Sequence, residues 1–155
     1  MKIKTILNQL KGLDERIKIY NQNLVDDIEN YNTLRENLSK GNKEFDVNKI
    51  FFIWENKINE LRGKIISLFM LRENIEKALD EVCNIDNEFY VLLALRYKYD
   101  YDWSAIAAKL NEGKNGVQYT EQYVRGKMHG YALKSFEKFL KLGTKVNKSQ
   151  QKSTK

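Results

Sequence analysis

The densest run of side chains able to do chemistry lies between Tyr119 and Lys138. There Gln122, Tyr123, Arg125, Lys127, His129, Lys134 and Lys138 alternate with Val124, Met128, Ala132, Leu133 and Phe136. A guanidinium fork and a carboxamide can each make paired hydrogen bonds to a base edge, and ammonium groups attract phosphates without reading sequence. Steps of three and four put the apolar members, extended by Leu140, on one side of a helix and leave the polar and basic members flanking or opposite. A catalytic reading has no comparable support. His129 is the sole histidine and Cys83 the sole cysteine, with no carboxylate or thiolate cluster at ligand spacing beside the histidine. Metal binding, histidine-centred catalysis and a bound cofactor are therefore not expected. Gly113-Lys-Asn-Gly116 lacks the ordered glycines and Lys-Ser/Thr ending of a phosphate loop and reads as a connector. With no arrangement of nucleophile, base and charge stabiliser, an enzyme is the least expected class.

Composition sets the kind of scaffold that must hold these groups. The 155 residues include no Pro and 8 Gly, and Leu, Ile, Lys, Glu and Asn are frequent, which favours an all-α chain. One cysteine permits no internal disulfide, so helix packing has to supply the stability in a reducing compartment. No apolar run approaches the ~20 residues that cross a bilayer, and MKIKTILNQL lacks a signal peptide's apolar run and cleavage site; no membrane partner and a cytoplasmic location are expected. The net charge of +6 is unevenly placed. Residues 1–85 hold 14 Lys/Arg against 14 Asp/Glu, and residues 86–155 hold 13 against 7. From Arg125 onward nine basic residues face Glu137 alone. That asymmetry points to a polyanionic partner for the C-terminal half.

The N-terminal half repeats every seven residues. Ile3, Leu10, Ile17, Leu24, Tyr31 and Leu38 form one row and Ile6, Leu13, Tyr20, Asp27 and Leu34 the row three residues later. Such spacing indicates a long helix in which Gly12 is tolerated. Residues 39–46 contain the first break, with Gly41 as turn and Asp46 as cap. A second set follows: Val47, Trp54, Leu61, Leu68, Ile75 and Val82, with Phe51, Ile58, Ile65, Arg72 and Leu79. Two helices of similar length joined by a short loop suggest a long antiparallel hairpin over 1–83. Phe52, Ile53, Ile66 and Phe69 widen its apolar stripe beyond one seam, which implies either a homodimer or packing on the C-terminal helices.

A trihelical unit is expected over 84–142. Asp86 caps a helix to about 98, Asp102 caps a short helix carrying Trp103, Ile106, Ala107 and Leu110, and Thr120 caps a final helix from 121 to about 140. The polar, basic stretch 143–155 reads as a disordered tail. Three segments carry a resemblance: Leu93-Ala-Leu-Arg-Tyr97, Asp102-Trp-Ser-Ala-Ile-Ala107 with Leu110, and Thr120-Glu-Gln-Tyr-Val-Arg125 with Ala132-Leu133. In order and spacing they resemble the fourth region of bacterial sigma factors. They are similar also to phage late-gene regulators of the autolysin regulatory protein type. The resemblance covers about 55 residues and implies a helix-turn-helix in which 103–110 is the scaffold helix and 120–139 the recognition helix.

Under that resemblance the partner is double-stranded DNA. Gln122 would read adenine, Arg125 guanine, and Tyr119, Tyr123 and Lys127 base edges or backbone. Trp103 and Ser104 would place amides near phosphate, and Lys109, Lys114, Lys134 and Lys138 would supply backbone attraction, with His129 as a surface phosphate contact or a helix-packing residue. The expected function is a sequence-specific transcriptional regulator encoded by a phage or mobile element. It would be dimeric through the hairpin and able to engage RNA polymerase. The alternatives are a small DNA-recognition subunit of a viral packaging motor and an inhibitor of a host defence nuclease. Two departures stand out: the 111–119 connection is longer than the usual turn, and one extra residue separates Val124 from Ala132-Leu133.

Overall fold

The computed structural model describes residues 2–39 and 47–152, with side chains described for 3–38 and 47–140. Among these the chain is all-α and contains no strand. In order, α1 is Lys2–Leu10, α2 Leu13–Ser39, α3 Val47–Ile85, α4 Asn87–Leu93, α5 Trp103–Asn111, α6 Glu121–Tyr123 and α7 His129–Lys152. Two π-helical turns interrupt the α geometry, π1 at Ala94–Lys98 after α4 and π2 at Val124–Met128 between α6 and α7. The turn expected around Gly41 and Asp46 lies outside the described residues. Helix α7 runs to Lys152, so most of the segment expected as an irregular tail is helical backbone. No Pro interrupts it and the lysines there are good helix formers.

The chain divides into two compact units, Gly12–Leu71 and Met1–Lys11 with Arg72–Lys155. This differs from the expected boundary at residue 83 at both ends. Gly12 has φ +76°, a left-handed conformation that ends α1, so the continuous helix expected from Ile3 to Leu38 is broken there. Released in this way, α1 packs against π1 and α7 in the C-terminal unit, with Leu7 fully buried.

In the Gly12–Leu71 unit the two helices run antiparallel. Tyr31 meets Phe51 edge-on at 5.7 Å and donates a 2.9 Å hydrogen bond to Glu55, and Asp27, one turn earlier, pairs with Lys57 at 3.5 Å. As one number falls the other rises. The charge in the heptad rows of the first helix, Asp27, is thus neutralised across the seam. Phe52, Ile53 and Ile66, which the sequence placed in a widened stripe, are instead 63%, 57% and 58% exposed.

The second unit is built on three side-chain caps at the expected residues. Asp86 accepts from the amides of Glu88 (2.9 Å) and Phe89 (3.3 Å), Asp102 from Ala105 (2.7 Å), and Thr120 from Tyr123 (3.1 Å). Leu92, Leu93, Ile106, Val124, Ala132 and Phe136 are buried where α4, α5, π2 and α7 meet, and Ile75, Leu79 and Val82 of α3 are buried in the same unit. Asp100, at φ +60°, is ion-paired with Lys11 just beyond α1, which holds its carboxyl below the usual range.

The Gly12 break gives an opposed pair of expectations for chemical denaturation. Gly12→Ala should lower stability by about 1–2 kcal/mol, because an L side chain is strained at this φ. Gly130→Ala, inside α7 where an added Cβ meets nothing within 4 Å, should raise it by up to about 1 kcal/mol. A neutral Gly12→Ala would mean that the helix is not broken there.

Candidate nucleic-acid interface

The candidate surface begins at the loop between α5 and α6. Asn111, the last residue of α5, folds its carboxamide over the loop, donating to the Tyr119 carbonyl and accepting from the Tyr119 amide, each at 2.8 Å. Residues 112–118 are thereby closed into a loop of fixed base, and Thr120 is delivered to its capping position. The Tyr119 ring stacks on Tyr123 at 5.6 Å, and the Lys114 ammonium lies 3.6 Å from the Tyr119 ring centroid. Lys114 also pairs with Glu88 of α4 at 3.3 Å, and these two partners raise its pKa against the opposing effect of desolvation. The long connection is a structured extension and not a slack linker.

From the Thr120 cap the chain passes through π2 into α7. The π turn is recorded by the His129 amide, which donates to the carbonyl of Val124, five residues back. A π turn holds one residue more than the α turn it replaces, and so resets the register of the positions that follow it. Val124, Met128, Ala132 and Phe136 all stay buried as a result. Outward, Gln122, Tyr123, Arg125 and Lys127 are exposed over successive positions, followed by Tyr131, Lys134 and Lys138.

The expected contact residues separate into three groups. Gln122, Tyr123, Arg125, Lys127, Lys134 and Lys138 share the outer surface of the last helical run, and Ser104 and Lys109 are exposed on α5, the latter beside Glu112 at 3.4 Å. Lys114, Tyr119 and Trp103 are half-buried and engaged within the unit. His129 is 7% exposed, which corrects its assignment as a surface phosphate contact and leaves the packing role. Its Nε2 lies 2.7 Å from the Tyr97 hydroxyl, and its ring packs edge-on to Trp103 at 4.7 Å. Burial, with added repulsion from Lys4 and Arg96, pushes its pKa down to about 4. Burial also raises the Tyr97 pKa, so the phenol keeps its proton and the pair share a hydrogen bond between two neutral groups. Arg96 completes the cluster, its guanidinium 4.6 Å over Trp103 and bonded to the Tyr101 carbonyl at 3.1 Å.

Two participants escaped the sequence reading. Asn111 gave no signal, because a clamp across eight residues follows no short-range pattern. Tyr131 did give one: Lys127, Tyr131, Lys134 and Lys138 follow steps of four, three and four, and Tyr131 is 51% exposed in their midst. No group of acidic, histidine and cysteine side chains that could hold a metal ion occurs among the described residues, and no helix there is long and apolar enough to cross a membrane. A pocket in the hairpin is lined by Asp26, Asp27, Glu60, Lys57 and Lys64, whose opposite charges lie close together. No family model, curated protein or solved structure matches the chain.

The buried histidine predicts an acid-side loss of stability. Because the folded pKa is about 4 and the ordinary value 6.5, the unfolded chain binds the proton first. This contribution is complete above pH 6.5 and is lost as pH falls from 6.5 to 4. Denaturant midpoints measured through that interval should decline, with a shallower decline in His129→Gln. Replacing the clamp by Asn111→Ala should cost about 1–3 kcal/mol and raise amide exchange across 112–119 while leaving α7 protected.

Proposed function

We propose that the chain is a sequence-specific DNA-binding regulator whose last helical run enters the major groove. The observation that supports this best is the sorting of side chains along 120–138. Every apolar residue needed to anchor the run is buried or half-buried, and Gln122, Arg125 and Lys127 are exposed along its first turns, which begin at the Tyr119–Tyr123 stack. Arg125 and Gln122 have the donor geometry for guanine and adenine edges, and Lys134 and Lys138, farther along α7, suit flanking phosphates. The charge of the unit agrees with this reading. Residues 1–11 and 72–155 together hold 18 Lys/Arg against 11 Asp/Glu, because α1 adds its lysines to those of the C-terminal half. In this reading the hairpin pairs two subunits and sets the spacing of two half-sites. The likeness of 93–133 to sigma region four and to phage late-gene regulators supplies the biological setting, transcription in a bacterial host, with RNA polymerase as a further candidate partner.

Selection of bound sequences from random duplex DNA, repeated over a salt series, tests the proposal. Enrichment of a palindrome or paired half-site is expected, and weak binding with no enrichment would remove the mechanism. Arg125→Ala should weaken the preferred site by about 10–100-fold and random DNA far less. Lys138→Ala should weaken both alike and reduce the salt slope by about 1. Equal losses from the two substitutions would abolish the distinction between reading and anchoring.

A further inference from the structure

Helix α3 carries a second heptad set on the side away from the hairpin seam. Phe51, Trp54, Ile58, Leu61 and Ile65 are buried or half-buried, whereas Phe52, Asn56, Asn59, Gly63, Ile66 and Met70 are all exposed. The outer set follows steps of four, three, four, three and four, the spacing of a coiled-coil seam. Lying five residues on from the inner rows, it is rotated from them by about 140°. It contains no charged residue, and Phe52, Ile66 and Met70 are each more than half exposed. Gly63 stands in the middle. An added Cβ there meets nothing within 4 Å, so no described residue of the chain requires the glycine, although it costs about 1 kcal/mol of helix stability.

We infer that this face pairs with the same face of a second copy, as an antiparallel two-stranded coiled coil in which Phe52 fills the space over the partner's Gly63. The inference rests on the reading that the hairpin joins two subunits, and adds the face and the register. A second copy is preferred to a foreign helix because one register satisfies size, polarity and charge together. Antiparallel seams set one heptad row opposite the other. With Phe52 opposite the partner's Gly63, Asn56 faces the partner's Asn59, and the two carboxamides can donate to and accept from each other. The flanking Glu55 then lies beside the partner's Arg62, and the twofold axis repeats each contact. Ile66 packs on the aliphatic stem of the partner's Lys49. Shifting the pairing by one heptad, so that Phe52 meets the partner's Met70, brings Arg62 against the partner's Arg62. A parallel pair brings Glu55 against the partner's Glu60. Only the first register places opposite charges at the flanks, over an overlap of about 27 Å.

Sedimentation of the full chain without DNA, combined with thiol cross-linking, tests this independently of DNA recognition. The wild type should form a dimer, and Gly63→Glu should weaken it at least tenfold with unchanged helical circular dichroism. In a Cys83→Ser background, Glu55→Cys and Arg62→Cys chains should be joined by a short bifunctional thiol reagent when mixed. Neither should cross-link alone, because like positions then stand about 10 Å apart along the axis. A monomeric wild type would overturn both the pairing and the face. A dimer indifferent to Gly63→Glu would place the contact elsewhere and leave the pairing intact. Cross-linking of Arg62→Cys with itself, or no cross-link in the mixture, would overturn the register.

Discussion

A buried row with a four-residue step cannot stay on one side of an ideal α-helix, because each step overshoots a full turn by about 40°. Val124, Met128, Ala132 and Phe136 form such a row, and all four are buried. The π turn at Val124–Met128 reconciles the two facts by giving one turn a larger share of residues. The rest of the C-terminal unit depends on this local adjustment. It keeps Phe136 in the core beside α4 while Gln122, Arg125 and Lys127 stay on the outside. Without it, the Thr120 cap and the Phe136 anchor would demand different rotations of the same helix.

The same packing decides which polar residues remain available to a partner. His129 follows directly after the π turn and is drawn inward between Tyr97 and Trp103, where its ring is hydrogen-bonded to the Tyr97 hydroxyl. Arg96 covers the outer face of Trp103, and Lys114 covers Tyr119. These cations stabilise the unit through aromatic faces and so are partly withdrawn from the surface field. Along the last helical run the exposed basic residues are Arg125, Lys127, Lys134 and Lys138. Basic residues close in sequence therefore have different tasks, and burial is what separates them.

Charge and heptad pattern divide the chain in a related way. Residues 12–71 hold 9 Lys/Arg and 10 Asp/Glu, and their helices meet through a half-buried seam that even includes the Asp27–Lys57 pair. A two-helix unit has no deep interior, so large side chains on the far side of α3 stay in solvent within one chain. Phe52 and Ile66 are the clearest cases. The C-terminal unit has a true interior because α1, the end of α3 and the later helices surround it, and there the apolar residues are accommodated within the chain.

The amino-acid sequence by itself determined the helical class, the two heptad rows and the three caps at Asp86, Asp102 and Thr120. All of these rest on local periodicity or on side chains bonding to amides two or three residues away. It also marked the exposed Gln122, Arg125 and Lys127, which are polar and stand off the periodic apolar row. Tertiary structure alone decided four other matters. The sign of φ at Gly12 detached α1 from the hairpin, since a heptad row can continue in sequence while its helix axis breaks. The packing between Tyr97 and Trp103 took His129 out of the surface, since a polar residue next to an apolar row can lie on either side of it. The Asn111 clamp ordered the long loop through bonds between residues that no short pattern connects. The π turn at Val124–Met128 set the register of Ala132 and Phe136, because only the competition between a buried face and a fixed cap determines where a helix gives up its ideal pitch.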